Sequence, residues 1–182
     1  MQPVVRSTLA MPTLDEINRF RPAEFSRAFG AVYEHSAWIA ERAFALRPAT
    51  GFASRAAVHA ALVATVQAAG ADEQLALLEA HPELAGKEAE AGALTAASQR
   101  EQSAAGLIGL TSEETQRLRA LNARYRDRFG FPFIIAARNN TRAAIFGALE
   151  ARLHNTRAME INNALMQVGE IARLRVFDLI EA

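Results

Sequence analysis

The 182-residue sequence contains no cysteine. That removes disulfides, thiolate nucleophiles and Cys-ligated zinc together, and it suits a reducing compartment. Net charge is absent too. Lys plus Arg and Asp plus Glu number 20 each, so no overall field draws the chain to nucleic acid or to an anionic membrane, and any charge recognition has to be local. No apolar run approaches the ~20 residues of a membrane span, and the opening MQPVVRSTLAMPTL lacks the apolar segment of a secretory signal. The closing DLIEA carries no peroxisomal tripeptide. HExxH, P-loop and GxGxxG patterns are missing, as is any histidine pair at ligand spacing, which leaves metal and nucleotide cofactors without support. The expectation is a cytoplasmic protein that binds neither membrane nor nucleic acid.

Alternation of β-branched residues with period two is also scarce, while Ala, Leu, Arg, Glu and Gln dominate. These residues lose little side-chain entropy in a helix, so the pattern predicts an all-α fold. Apolar residues make up 51% and charged residues 22%, enough for a real core in one compact multi-helix domain over 13–182, preceded by a loose arm at 1–12. Thr13-Leu14-Asp15-Glu16 reads as a capping box opening a short helix. Helical patterns follow in AEFSRAFGAVYEHSAWIAERAFAL, in SRAAVHAALVATVQAA behind the N-cap Ser54, and in ADEQLALLEAH. Pro48 and Gly51 break the first from the second. Thr95 caps AASQREQSAAGL, and Thr111 with Glu114 forms a second capping box before ETQRLRALNARYRDRF, which Gly130 ends. Two more helices are predicted, roughly over 142–153 and 156–179. No repeat, low-complexity tract or linker interrupts them.

Three stretches hold chemistry-bearing side chains. His81 stands where a helix must stop, because a residue preceding proline is pushed out of the α region. Rigid helices often present functional groups on such irregular segments, and an imidazole exchanges protons near neutral pH. His35, His59 and His154 instead fall inside helical patterns, where packing or surface placement explains them. Ser98, Glu101 and Gln102 stand at i, i+3 and i+4 and share about a 60° sector of one helix face. That face either meets a small polar ligand or is simply solvated. In RFGFPFIIAARNN, Pro132 and the helical surroundings make FPFIIAA an extended segment crossing the core. Arg138, directly after it, is either a snorkelling surface group or a fork for a carboxylate. The basic stretch RLRALNARYRDR, interleaved with acids, reads as a solvated helix face.

HPELAGK from His81, then SQREQSAAGL, then RFGFPFIIAAR, in this order and spacing, closely resemble the OHCU decarboxylase family over about residues 13–179. The family decarboxylates 2-oxo-4-hydroxy-4-carboxy-5-ureidoimidazoline to (S)-allantoin in the last step of urate breakdown. The resemblance implies an all-helical carboxy-lyase that needs no cofactor and no metal, usually a homodimer. His81 matches the catalytic histidine and Pro82 the proline holding it beside the ligand. Glu101 matches the catalytic glutamate. Ser98 and Gln102 match positions that hydrogen-bond the ureido and ring groups, and the backbone of Ile134, Ile135 and Ala136 matches the segment bonding the ring edge. Arg138 matches the basic substrate-binding residue, while Phe131 and Phe133 would wall the pocket. Asn139-Asn140-Thr141 falls where family members vary and receives no role.

The implied chemistry suits a protein without metal or pyridoxal. An imine in the substrate absorbs the electron pair left by CO2, so the protein has to supply orientation, hydrogen bonds where charge develops, and a proton on one face. On this reading Arg138 and the Ser98/Gln102 face anchor the substrate, His81 is the acid-base group, and Glu101 orients the ureido group and tunes His81. Two rival readings stay open. One is a lyase or hydrolase acting on a related ureido or imidazole compound. The other is a non-catalytic helical interaction module, which a Glu101 pointing to solvent would favour.

Overall fold

A computed structural model describes residues 11–86 and 92–181. Among the described residues the regular structure is helical throughout, with no strand. The order is α1 (Leu14–Arg19), α2 (Pro22–Phe29), α3 (Trp38–Phe44), α4 (Arg55–Ala68), α5 (Ala71–Glu79), α6 (Ala96–Ala104), α7 (Ser112–Phe129), a 3₁₀ turn (Ala137–Asn139), α8 (Arg142–Arg152) and α9 (Arg157–Leu179). No described helix is long and apolar enough to cross a membrane.

Local chemistry sets most boundaries. Thr13 and Thr111 form the expected capping boxes with Glu16 and Glu114. Ser54, Thr95, Thr141 and Thr156 each accept a hydrogen bond from the third residue of the following helix. Such a cap is worth about 1 kcal/mol, because it satisfies an otherwise orphaned amide. Gly130 ends α7 at φ 87°, a conformation glycine adopts without a Cβ clash.

One predicted helix is broken. The pattern over 23–46 reads as continuous, yet α2 stops at Phe29 and α3 starts at Trp38, with a turn over 30–37 in which His35 takes φ +59°. The reason is burial. Val32, Tyr33, Glu34 and Ser36 are all buried, and a helix, turning 100° per residue, cannot direct three consecutive side chains inward. The turn can, and His35 leaves its helical pattern as a result.

The long helix α9 forms the spine, packing against α4, α5 and α7. Its buried stripe comprises Ala164, Val168, Ile171, Ala172 and Val176, together with two charges, Glu160 and Arg175. Glu160 is wholly buried and accepts hydrogen bonds from Tyr125, from Arg152 Nε at 2.9 Å, from Asn155 Nδ2 at 2.7 Å and from Asn163 Nδ2 at 2.9 Å. Arg152 then donates from Nη1 to the Ile134 carbonyl at 2.8 Å.

That bond helps hold the expected core-crossing segment. Residues 131–137 are buried without regular structure until the 3₁₀ turn. Gln167 Oε1 accepts from the Ala136 amide at 2.9 Å, and Asn140 Nδ2 donates to the Ala136 carbonyl at 2.9 Å. Side chains thus satisfy backbone groups that a sheet would otherwise pair. Of the predicted arm, residues 1–10 lie outside the described residues. The Pro12 carbonyl accepts from the Glu181 amide at 3.0 Å, which ties the two ends of the described chain together.

Candidate active site

His81 sits two residues past α5, half-buried, and Pro82 behind it is buried. The loop that follows is pinned from two helices. Gln102 Oε1 on α6 accepts from the Ala85 amide at 2.9 Å, and Asn122 Nδ2 on α7 donates to the Leu84 carbonyl at 3.0 Å. Ala85 is held at φ +47°, a left-handed conformation costing a residue with a Cβ on the order of 1 kcal/mol. Residue 87 and the four after it lie outside the described residues, so Lys87 of the sequence motif does too.

The polar face of α6 is buried rather than solvated: Ser98 is 3% exposed, Gln102 4% and Glu101 9%. What covers it is Arg175 of α9, which uses all three guanidinium nitrogens. Nε and Nη2 fork onto Glu101 Oε1 and Oε2 at 2.8 and 2.7 Å. Nη1 donates to the Val32 carbonyl at 3.1 Å, and Nη2 also reaches Ser98 Oγ at 3.1 Å and Glu34 Oε1 at 3.0 Å. The Glu34 oxygen further accepts from Thr95 Oγ1 at 2.8 Å and from the Ser98 hydroxyl. Two carboxylates therefore share one guanidinium inside the protein.

Burial works against each charge in this cluster, and the partners decide the outcome. Desolvation disfavours the Arg175 cation, but hydrogen bonds and charge from Glu101 and Glu34 overcome it and raise its pKa. Desolvation likewise disfavours ionised Glu34, yet hydrogen bonds from Ser98 and Thr95 and the nearby Arg175 hold it below the ordinary carboxylate range. For His81 the compensation falls short. Burial pushes its pKa down to about 4, with Glu34 opposing the shift and Arg175 assisting it. The imidazole is neutral at pH 7, and the charges that reach it are those of Glu34 and Arg175 rather than Glu101.

Two cavities flank this cluster. One of about 1030 Å³ is lined by His81 together with His35, Glu83, Arg119, Arg126 and Asp127. The other, about 560 Å³, has Glu101 and Arg175 in its wall, alanines 28, 31, 97 and 104 around them, and Arg138 with Asp178. Arg138 is exposed and paired with Asp178 through both Nη atoms. Phe131 and Phe133 are fully buried in an aromatic cluster with Tyr125, at ring-centroid separations of 6.0 and 5.3 Å, and line neither cavity. Ile134, Ile135 and Ala136 are buried beside them. Among the described residues no group of three His, Asp or Glu side chains is placed to hold a metal ion.

The fold thus gathers Ser98, Glu101 and Gln102 as predicted and links Gln102 to the His81 loop. It leaves Arg138 at the surface. Sequence reasoning missed Arg175 and Glu34. Arg175 did leave a signal: it lies on the apolar stripe of α9, four residues after Ile171 and next to Val176, a position where an unpaired guanidinium would be costly. Glu34 left none, since it fell inside a pattern read as continuous helix.

The OHCU decarboxylase family model matches residues 18–177. The 2-oxo-4-hydroxy-4-carboxy-5-ureidoimidazoline decarboxylase of Haloferax volcanii is 40% identical over 164 residues, covering 90% of this chain and 94% of its own length. The uric acid degradation bifunctional protein PucL of Bacillus subtilis is also 40% identical, over 93% of this chain, but the match spans only 33% of that longer protein. Among solved structures, a crystal structure of (S)-allantoin synthase superposes with a TM-score of 0.72 at 31% identity, covering 93% of this chain and 54% of that one.

Proposed function

Because the chain belongs to the OHCU decarboxylase family, we propose that it catalyses cofactor-independent decarboxylation of 2-oxo-4-hydroxy-4-carboxy-5-ureidoimidazoline to (S)-allantoin and CO2. The observation that carries this reading onto the chain's own residues is the buried Glu101–Arg175–Glu34 cluster on the face of α6, electrostatically coupled to a neutral His81. Such a cluster is expensive to bury, and ionisable groups perturbed by burial and a specific partner in the wall of a cavity mark a candidate functional site.

The reaction breaks the bond between the ring carbon and its carboxylate. The electron pair moves into a new carbon–carbon double bond, and the adjacent imine nitrogen takes up the displaced pair and a proton. The resulting enol then loses its hydroxyl proton while the ureido-bearing carbon gains one, so one proton is consumed overall. The imine nitrogen takes its proton from solvent, which is the one consumed. A neutral imidazole suits the transfer that follows, and His81 takes the enol hydroxyl proton as base and returns it to the ureido-bearing carbon as acid. Pro82 limits its backbone freedom. Glu101 and Arg175 supply fixed charge where negative charge develops and moves.

Ligand contacts follow from which protein groups are already committed. Gln102 Oε1 is bonded to Ala85, so its amide NH2 is the part left for substrate. The Ile134 carbonyl and both Ala136 backbone groups are engaged, so ring-edge bonding on this reading falls to the Ile134 amide and the Ile135 backbone groups. Phe131 and Phe133 act from behind, by keeping that segment rigid. Arg138 captures the substrate at the mouth of the cavity by exchanging Asp178 for the incoming carboxylate. A cytoplasmic homodimer is the proposed working form, which light scattering after size exclusion would check.

Circular dichroism of allantoin formation tests the reading, with the unstable intermediate generated in situ from urate by the two preceding enzyme activities. Rapid appearance of one enantiomer supports it. Racemic product at the background rate, from folded protein, would move the function to a related ureido-imidazole substrate or to the interaction module. The interaction reading is the weaker rival, because Glu101 is turned onto Arg175 and not to solvent.

A further inference from the structure

We infer that Glu34 is a positioning residue for this site: its single oxygen Oε1 holds the Ser98 hydroxyl, the Thr95 cap of α6 and the Arg175 guanidinium in one arrangement. The inference rests on the decarboxylase reading and deepens it. Glu34 belongs to the turn between α2 and α3, Ser98 and Thr95 to the start of α6, and Arg175 to α9, so one oxygen fastens three separate parts of the chain.

The consequence for the ligand is chemical. Ser98 has one hydroxyl proton, and it goes to Glu34; one of its lone pairs takes the Arg175 Nη2 hydrogen at 3.1 Å. A contact from Ser98 to the ligand is therefore made as acceptor, through the remaining lone pair and from an N–H such as a ureido group offers; it has no hydrogen left to donate to a ligand carbonyl. Thr95 is fixed in the same way: its oxygen caps the helix by accepting the Ser98 amide at 3.2 Å while its hydrogen goes to Glu34 at 2.8 Å. Because Thr95 starts α6, a shift of Glu34 displaces the helix end that bears Ser98 and Glu101. No hydrogen bond to a described residue engages the other oxygen of Glu34, so an amide in its place keeps all three contacts.

Substitutions at Glu34 separate placement from charge. Glu34→Gln keeps the accepting oxygen and loses the charge. Glu34→Asp keeps the charge but withdraws the oxygen by one methylene, and misplacement of about 1 Å at such a site costs on the order of a hundredfold in rate. If Glu34 positions the site, Glu34→Asp loses about that factor in kcat while its melting temperature and far-ultraviolet dichroism stay close to wild type, and Glu34→Gln turns over at least tenfold faster than Glu34→Asp. An Asp variant faster than the Gln variant, or both as slow as each other, overturns the inference, as do two variants at the wild-type rate. Should Glu34→Ala fail to fold, the Gln and Asp comparison still decides. A wild-type protein that itself yields only racemic product at the background rate sinks the decarboxylase reading, and this inference with it; an active wild type whose Asp variant is equally active sinks this inference alone.

Discussion

Arg175 and Glu101, 74 residues apart in sequence, meet through two parallel N–H···O bonds of 2.8 and 2.7 Å inside the protein. A planar guanidinium matches a carboxylate in this way and an ammonium does not. Removing one partner strands the other charge in a poorly solvated interior, which costs about 3–5 kcal/mol. Arg175→Ala should lose stability on that scale by urea denaturation. Arg175→Lys should recover part of it but not the fork, and its turnover should remain at least tenfold below wild type in the allantoin assay.

The His81 imidazole makes no hydrogen bond to a described residue, and its backbone amide bond to the Leu78 carbonyl survives substitution, so removing the ring should be felt in chemistry more than in stability. We expect His81→Ala to reduce kcat by about 10²-fold or more, the range for a lost acid-base group, with the helical dichroism retained. A near-normal rate would take the imidazole out of the mechanism.

The same residue gives the protein an acid-sensitive stability. His81 titrates at about 4 when folded against 6.5 as its ordinary value. Between these values the unfolded chain binds a proton that the folded chain does not, so this contribution is complete above pH 6.5 and is lost as pH falls toward 4. From pH 7 to pH 5 the loss attributable to His81 is about 2 kcal/mol. Urea midpoints for His81→Asn should fall less steeply than wild type over that interval. Parallel curves would show that the imidazole stays accessible and readily protonated in the fold.

Arg138 stands apart, exposed and paired with Asp178, and exposed ion pairs contribute little to stability. Arg138→Ala should leave the melting temperature close to wild type and raise KM severalfold with little change in kcat. An unchanged KM would remove Arg138 from substrate capture and leave Arg175 as the cation that the substrate meets.

Gln102 connects the two halves of the site by accepting from the Ala85 amide at 2.9 Å. Gln102→Leu keeps roughly the same volume and leaves that amide without its acceptor, at a cost of about 1–3 kcal/mol. Because the loop starting at His81 loses an anchor, kcat should fall together with stability. A variant that loses stability but not turnover would separate the loop from catalysis.

The sequence by itself determined what depends on neighbours along the chain. Caps such as Thr13 with Glu16 and Thr111 with Glu114, the stop at His81-Pro82 and the ending at Gly130 are local steric and hydrogen-bonding events, and each was legible at its own position. The i, i+3, i+4 face of Ser98, Glu101 and Gln102 was legible for the same reason, since helix periodicity puts them together whatever surrounds them. Whether that face was wet or buried could not be read there. The answer lay in Arg175, on a helix 74 residues beyond Glu101, and in Glu34, 141 residues before Arg175. Only tertiary structure broke the 23–46 pattern and turned Glu34 inward, because the core needed Val32, Tyr33 and Glu34 on the same side and the backbone left the helix to allow it. A buried charge is tolerated only with its partner in place, and partners this distant are chosen by packing, which no local pattern records.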